Sequence, residues 1–344
     1  MVGATTLRHP SGGSVDDPGA GTAPLSARTR RRIDELLLGG PRKYNRLQVA
    51  ELSGVPADVT QRRWRSLGFA TAGDEEVLFT DNDVAAAALA EKLLATGVVP
   101  AGMDVAVTRA VGHHLSRLAE WQIELVRELL DKNPELLADE DRLVMFLDTV
   151  MPLLEQLQTF VWRRHLAAYA ARAFDAGEDD TGALAVGFAD MVGYTRLTRR
   201  IDEEQLSEVL DKFEALASAV VAERHGRIVK TIGDEVMFVA DTPADAVEIA
   251  AEFARRAAED DDIPDVRVGV AFGPVLSRLG DVFGKTVNIA ARLTSTARPG
   301  TIVVDEGLAE ALGEHAPYQV RPLRPVSVRG YSRLKRFAVK VPTQ

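Results

Sequence analysis

The apolar residues of this chain change period once, and that change fixes what it can fold into. Up to about residue 173 they recur at helical spacing; from Ala183 they gather in short, nearly continuous runs broken by turn residues. Residues 183–189 (ALAVGFA) read as a buried strand. Residues 202–224 read as a helix with Leu206, Val209, Leu210, Phe213, Leu216 and Val220 inward. Two strands follow at 227–232 and 236–240, joined by the tight turn Gly233-Asp234-Glu235, then a helix over 243–258 and a strand over 266–272. The order β-α-β-β-α-β predicts a ferredoxin-like core. With the helical segment before it, the chain is expected to be α+β.

Length and composition agree with two domains. The chain has 344 residues, 46% of them hydrophobic, which is enough for two buried cores. The Gly-, Pro- and Ser-rich start reads as a disordered arm over 1–26, with no apolar centre of a secretory signal. A helical regulatory domain is expected over 27–174, an acidic linker (DAGEDDT) over 175–181 and a catalytic domain over 182–344. Without cysteine, disulfides, thiolate metal sites and cysteine nucleophiles are excluded. No apolar run approaches the roughly 18–20 residues of a membrane helix, so a cytoplasmic protein with no membrane partner is expected. The net charge is −10, and neither half carries the basic excess that drives binding to a phosphate backbone.

The helical part contains one segment with a familiar shape. In NRLQVAELSGVPADVTQRRWRSLGFA a stripe from Leu47 to Leu52 stops at Gly54, and Pro56 opens a second helix containing Val59, Trp64 and Leu67. This helix, turn, helix resembles the DNA-reading unit of winged or MerR-like regulators, through Thr60, Gln61, Arg62 and Arg63. A compact packing or regulatory module has the same pattern. Asp81 is expected to cap the next helix. Longer patterns start at Asp104 and Asp139, apolar on one face, and such faces bury against one another or a partner copy.

The chemistry gathers at two aspartates. Asp190 ends the first strand and Asp234 sits in the turn before the third, 44 positions on. In a ferredoxin-like sheet those strands are antiparallel neighbours, so both carboxylates reach one sheet edge. Two carboxylates beside a glycine turn, with no His or Cys near, suit hard cations such as Mg²⁺ or Mn²⁺. Such ions generally serve phosphoryl chemistry.

Three motifs then occur in order: FADMVGYT (188–195), KTIGDEVMF (230–238) and GDVFGKTVNIAARL (280–293). Together they closely resemble the class III nucleotidyl cyclase catalytic domain over nearly the whole C-terminal half. The resemblance implies that Asp190 and Asp234 bind two divalent ions and that the backbone at Gly193, Tyr194 and Thr195 receives the triphosphate. It implies that Lys230 and Asp281 select the purine; a lysine donating to the ring and an aspartate accepting from the exocyclic amine match adenine, so ATP. Asn288 would orient the ribose and Arg292 would neutralise charge on the α-phosphate, both on one helix face at i and i+4. Arg329 aligns with a basic residue that holds the terminal phosphates.

The reaction implied is ATP to 3′,5′-cyclic AMP and pyrophosphate, in a homodimer whose two composite sites each draw on both subunits. The stretch 273–280 is shorter than the hairpin arm of many relatives, as in the compact bacterial subgroup. The N-terminal half is similar to the regulatory domains of actinobacterial cyclases, some of them pH-responsive. Residues 232–236 share part of the G-G-D-E-F turn of diguanylate cyclases, but the second glycine, the final Phe and any counterpart of the VNIAARL helix are missing. A guanylate cyclase and a nucleotide-sensing DNA-binding regulator are the alternative readings.

Overall fold

The computed structural model describes residues 25–175, 182–313 and 317–341. Residues 1–24 of the expected arm (1–26) and 176–181 of the expected linker (175–181) lie outside them, while Ser26 caps the first helix and Asp175 ends the last helix of the first unit. The chain divides into two compact units, Met1–Ala170 and Ala171–Gln344.

The first unit is helical: α1 (Ala27–Leu38), α2 (Arg46–Ser53), α3 (Ala57–Ser66), α4 (Asp81–Ala95), α5 (Asp104–Lys132), α6 (Pro134–Ala138) and α7 (Glu140–Asp175). The helix-turn-helix forms as the sequence predicts. Gly54 closes α2 at φ 72°, a conformation a side chain resists, and Pro56 caps α3. One expectation is corrected. Thr80, not Asp81, caps α4, because the Thr80 hydroxyl and the Asp83 carboxylate satisfy each other's backbone amides in a capping box. The small core here is Val49, Ala72 and Phe79, with Trp64 packed 4.9 Å from the Phe79 ring.

The four residues suited to reading DNA do not share an outer face. Thr60, Gln61 and Arg63 line a cavity of about 440 Å³, and Arg63 pairs with Glu91 at 2.6 Å. Only Arg62 of the four is exposed. Part of the apolar stripe on α5 and α7 is also uncovered: Val111, Leu115, Ile123, Leu157, Val161 and Leu166 are all exposed.

The second unit contains β1 (Ala183–Met191), α8 (Tyr194–Leu197), α9 (Glu203–Glu223), β2 (Arg227–Ile232), β3 (Glu235–Ala240), α10 (Pro243–Glu259) and β4 (Val266–Pro274). It continues with β5 (Leu276–Arg278), β6 (Asp281–Phe283), α11 (Lys285–Thr296), β7 (Ile302–Val304), α12 (Glu306–Leu312), β8 (Gln319–Val328) and β9 (Tyr331–Lys340). The sheet order is β2-β3-β1-β4-β7-β9-β8, and the first four strands are the antiparallel ferredoxin-like set. Strands β7, β8 and β9 extend it past β4, an addition absent from the sequence reading. Glu235 opens β3 rather than ending the turn, since Asp190 pairs across from it.

Two apolar layers cover the sheet. One face packs on α9, α10 and α12 through Phe213, Phe253, Ile249 and Leu308; the other packs on α11 through Val186, Met237, Ala290 and Leu293. Removing a ring such as fully buried Phe213 costs about 3–5 kcal/mol in sites of this kind.

Candidate active site

Strand alternation decides where Asp190 points. Val186 and Phe188 enter the α11 layer while Ala185, Ala189 and Met191 enter the other, so Asp190 continues the α11 face at the strand's end. Its cross-strand neighbours are Glu235 on β3 and Arg267 on β4. The Arg267 guanidinium donates to Asp190 Oδ2 at 2.5 Å, and the aspartate side chain is only 14% exposed. The Met191 amide donates to the Asp234 carbonyl at 3.0 Å and the Val192 amide to the Asp265 carbonyl at 2.8 Å. The strand end is thus pinned on both sides, and the two aspartates are held side by side. Gly233 (φ 61°) makes the turn that carries Asp234, and Gly193 (φ 82°) makes the loop after Asp190.

The electrostatics follow from this crowding. Burial, then the Asp190 charge, push Asp234 above the usual carboxylate range, against its own backbone hydrogen bond and the pull of Arg267. Glu235 is pushed up to about 7, first by burial and then by Asp190 and Asp234, with Arg267 offsetting part. A polar cavity of about 360 Å³ opens beside them, lined by Gly193, Thr195, Arg196, Arg199, Asp234 and Arg267 among others. Tyr194 is partly buried against the α9–α10 layer and also lines the cavity.

The donor set fits divalent ions of the hard class. Asp190 and Asp234 supply anionic oxygens, and among the described residues no group of three or more His, Cys, Asp or Glu forms a protein-only cage. Two carboxylates next to an open polar cavity suit an ion that keeps water and takes phosphate oxygens, as Mg²⁺ does.

Of the remaining predicted residues, the structure joins Lys230 and Asp281. Lys230 Nζ donates to Asp281 Oδ2 at 2.7 Å. Asp281 begins β6, returned by a two-residue turn in which Leu279 (φ 51°) and Gly280 (φ 87°) are both left-handed, as a tight hairpin needs. Asn288 and Arg292 lie one turn apart on α11, off its buried side, which is Thr286, Ala290, Leu293 and Thr294. Thr294 fixes that helix to the metal strand by donating to the Phe188 carbonyl at 3.3 Å. Arg329 is exposed in the β8–β9 turn, whose flanking Val328 and Tyr331 pack into the α11 layer. Lys230, Asp281, Asn288, Arg292 and Arg329 do not line the cavity beside Asp234.

Four residues at the site escaped the sequence reading. Arg267 is one charged residue in the strand VRVGV, and only its register opposite Asp190 marks it. Glu235 read as part of a turn. Arg196 and Arg199 belong to no motif that the sequence singled out.

A ferredoxin-like sheet with paired carboxylates at its edge, a glycine loop and a polar cavity beside them defines a class III nucleotidyl cyclase domain. Residues 178–341 match the family described as adenylate and guanylate cyclase catalytic domain, and the chain belongs to that family. It is 43% identical over 285 residues to an adenylate cyclase of Streptomyces coelicolor, covering 82% of this chain and 74% of that protein. It is 31% identical to a pH-sensitive adenylate cyclase of Mycobacterium tuberculosis over 78% of this chain and 69% of that one. Among solved structures it is similar to an adenylyl cyclase from P. aeruginosa at 22% identity, with TM-score 0.41, over 47% of this chain and 95% of that one. Among the described residues no helix is long and apolar enough to cross a membrane.

Proposed function

We propose that the chain is an adenylate cyclase, converting ATP to 3′,5′-cyclic AMP and pyrophosphate in the cytoplasm. The observation that carries this reading is the side-by-side placement of Asp190 and Asp234, tied by the Met191 amide. Asp190 and Asp234 would hold two divalent ions, Mg²⁺ or Mn²⁺. When bound, such ions lower the cost of deprotonating the ribose 3′-hydroxyl and offset triphosphate charge.

The rest is done by the chain's own groups. Lys230 donates to the adenine ring and Asp281 accepts from its exocyclic amine; in the free chain the two satisfy each other. The backbone at Gly193–Thr195 faces the triphosphate. Arg267 acts as the counter-charge of Asp190 in the metal-free protein. Its planar guanidinium fork would also suit phosphate oxygens. Asn288 orients the ribose so that the 3′-oxygen faces the α-phosphate. As the new O–P bond forms and the bond to the β-phosphate oxygen breaks, Arg292 stabilises the charge that develops. Arg329 serves the terminal phosphates.

A homodimer with composite sites fits this arrangement. Asp234 lines a cavity that the purine and transition-state residues do not line. A second copy supplies the missing half by symmetry. The uncovered stripe on α5 and α7 suits the same partner. The helical unit regulates the catalytic one, and the pH-sensitive relative makes pH the first input to test.

Turnover of ATP and GTP with Mg²⁺ or Mn²⁺ across pH tests the reading. Cyclic AMP as the main product supports it; preference for GTP favours the guanylate alternative, and no cyclic nucleotide under any condition overturns it.

A further inference from the structure

The cavity beside Asp234 contains two cations that the mechanism above leaves unused. Arg196 and Arg199 line it together with Arg267. Both lie on the helical turn that starts at Tyr194, where the Thr198 amide donates to the Tyr194 carbonyl at 2.9 Å and the Arg199 amide to the Arg196 carbonyl at 3.4 Å. Side chains three apart on such a turn share a face, so both guanidinium groups are delivered to one wall. Among the described residues neither side chain has a hydrogen-bond or ion-pair partner, whereas Arg267 is engaged by Asp190. Arg200, the next residue, carries the same charge but does not line the cavity.

We propose that Arg196 and Arg199 bind the terminal phosphates of the nucleotide before reaction and the pyrophosphate after it. The proposal rests on the cyclase reading and adds to it a subsite for the leaving group. A polyanion entering this cavity meets the Asp234 carboxylate, whose charged neighbours are Asp190 and Glu235, and without cations in the same lining it is repelled. Two guanidinium forks, each able to give paired hydrogen bonds to phosphate oxygens, supply that balance. Charge grows on the leaving oxygen as the bond to the α-phosphate breaks, so the same groups favour departure of pyrophosphate. No purine-reading group lines this cavity: Lys230 and Asp281 are absent from its lining and pair with each other. Recognition here is therefore of the polyphosphate chain alone, and inorganic tripolyphosphate and pyrophosphate bind without a nucleoside.

The test compares the full-length protein with the R196Q/R199Q and R200Q variants; the arginines are exposed, so folding is preserved. Inhibition constants against ATP are measured for tripolyphosphate, pyrophosphate and adenosine, and tripolyphosphate binding is followed separately by calorimetry. We expect the double variant to weaken tripolyphosphate and pyrophosphate at least tenfold and to raise KM for ATP similarly, while adenosine is unaffected. R200Q should behave as wild type, and R196K/R199K should recover part of the loss. Equal tripolyphosphate affinity in the double variant and R200Q overturns the proposal, as does an equal loss for adenosine. Because calorimetry needs no turnover, a chain that binds tripolyphosphate through these arginines but makes no cyclic AMP fails the cyclase reading and not the subsite.

Discussion

Asp234 sits where folding and function oppose each other. Its pKa is raised by burial and by Asp190, so its ionised form is less favourable in the folded chain than in the unfolded one. Above the ordinary carboxylate range the group subtracts from stability, and protonation as pH falls restores it. Asp234→Asn should therefore raise the melting midpoint of the metal-free protein at neutral pH while lowering cyclic AMP formation by on the order of 10²–10³. A lower midpoint would show that the carboxylate is structural. Arg292→Ala makes the contrasting case: its side chain is off the core, so melting should not change, while kcat falls by on the order of 10²–10³. At this scale the sequence was most legible where a residue type is tied to a motif, as with Asp190, Asp234 and Lys230. Arg267 was not, because a lone arginine in a strand gains meaning only from what lies across from it.

Between elements, position depends on close approach. At Gly269 a Cβ would meet the Thr294 backbone nitrogen at 2.2 Å, a contact that no side-chain rotation relieves. Gly269→Ala should cost about 1–3 kcal/mol in denaturant unfolding, because α11 must lift from β4. Asn288 and Arg292 move with that helix, so kcat should fall more than KM rises. In the helical unit Glu140 accepts from the Ser26 and Thr29 hydroxyls and the Ser26 amide, joining the starts of α1 and α7. Those bonds lower its pKa from 4.5 to about 2. A depressed carboxylate pKa contributes stability that is complete above the unfolded value and lost as pH falls through the folded one. Melting of the wild type should weaken between pH 4.5 and about 2, and Glu140→Gln should lack that component. The α10 and β4 elements were read closely from sequence because their apolar periods are strong. The capping of α4 was misread because Thr80 and Asp81 are both capable caps, and the reciprocal bond from Asp83 selects Thr80.

For the whole molecule, the decisive question is whether one chain can complete a site. Subunits carrying Asp190→Ala and subunits carrying Arg292→Ala should each be nearly inactive alone. Mixed, they should recover a substantial part of wild-type activity, since one interface of the mixed dimer regains an intact set. Absence of recovery, with dimers verified by light scattering, would show that the sites are not shared.

The sequence by itself determined the α+β class, the order of the catalytic strands and helices, and the acids, lysine and arginine expected to act on a nucleotide. Those features depend on periodicity and on residue types at fixed local spacing, which a linear chain carries in full. Tertiary structure alone decided that Arg267 faces Asp190, that Glu235 joins the acidic group, that Thr60, Gln61 and Arg63 line a cavity of the helical unit, and that Arg196 and Arg199 line a cavity with Asp234. Each of these depends on strand register or on packing between segments distant in sequence, and neither leaves a mark at any single position.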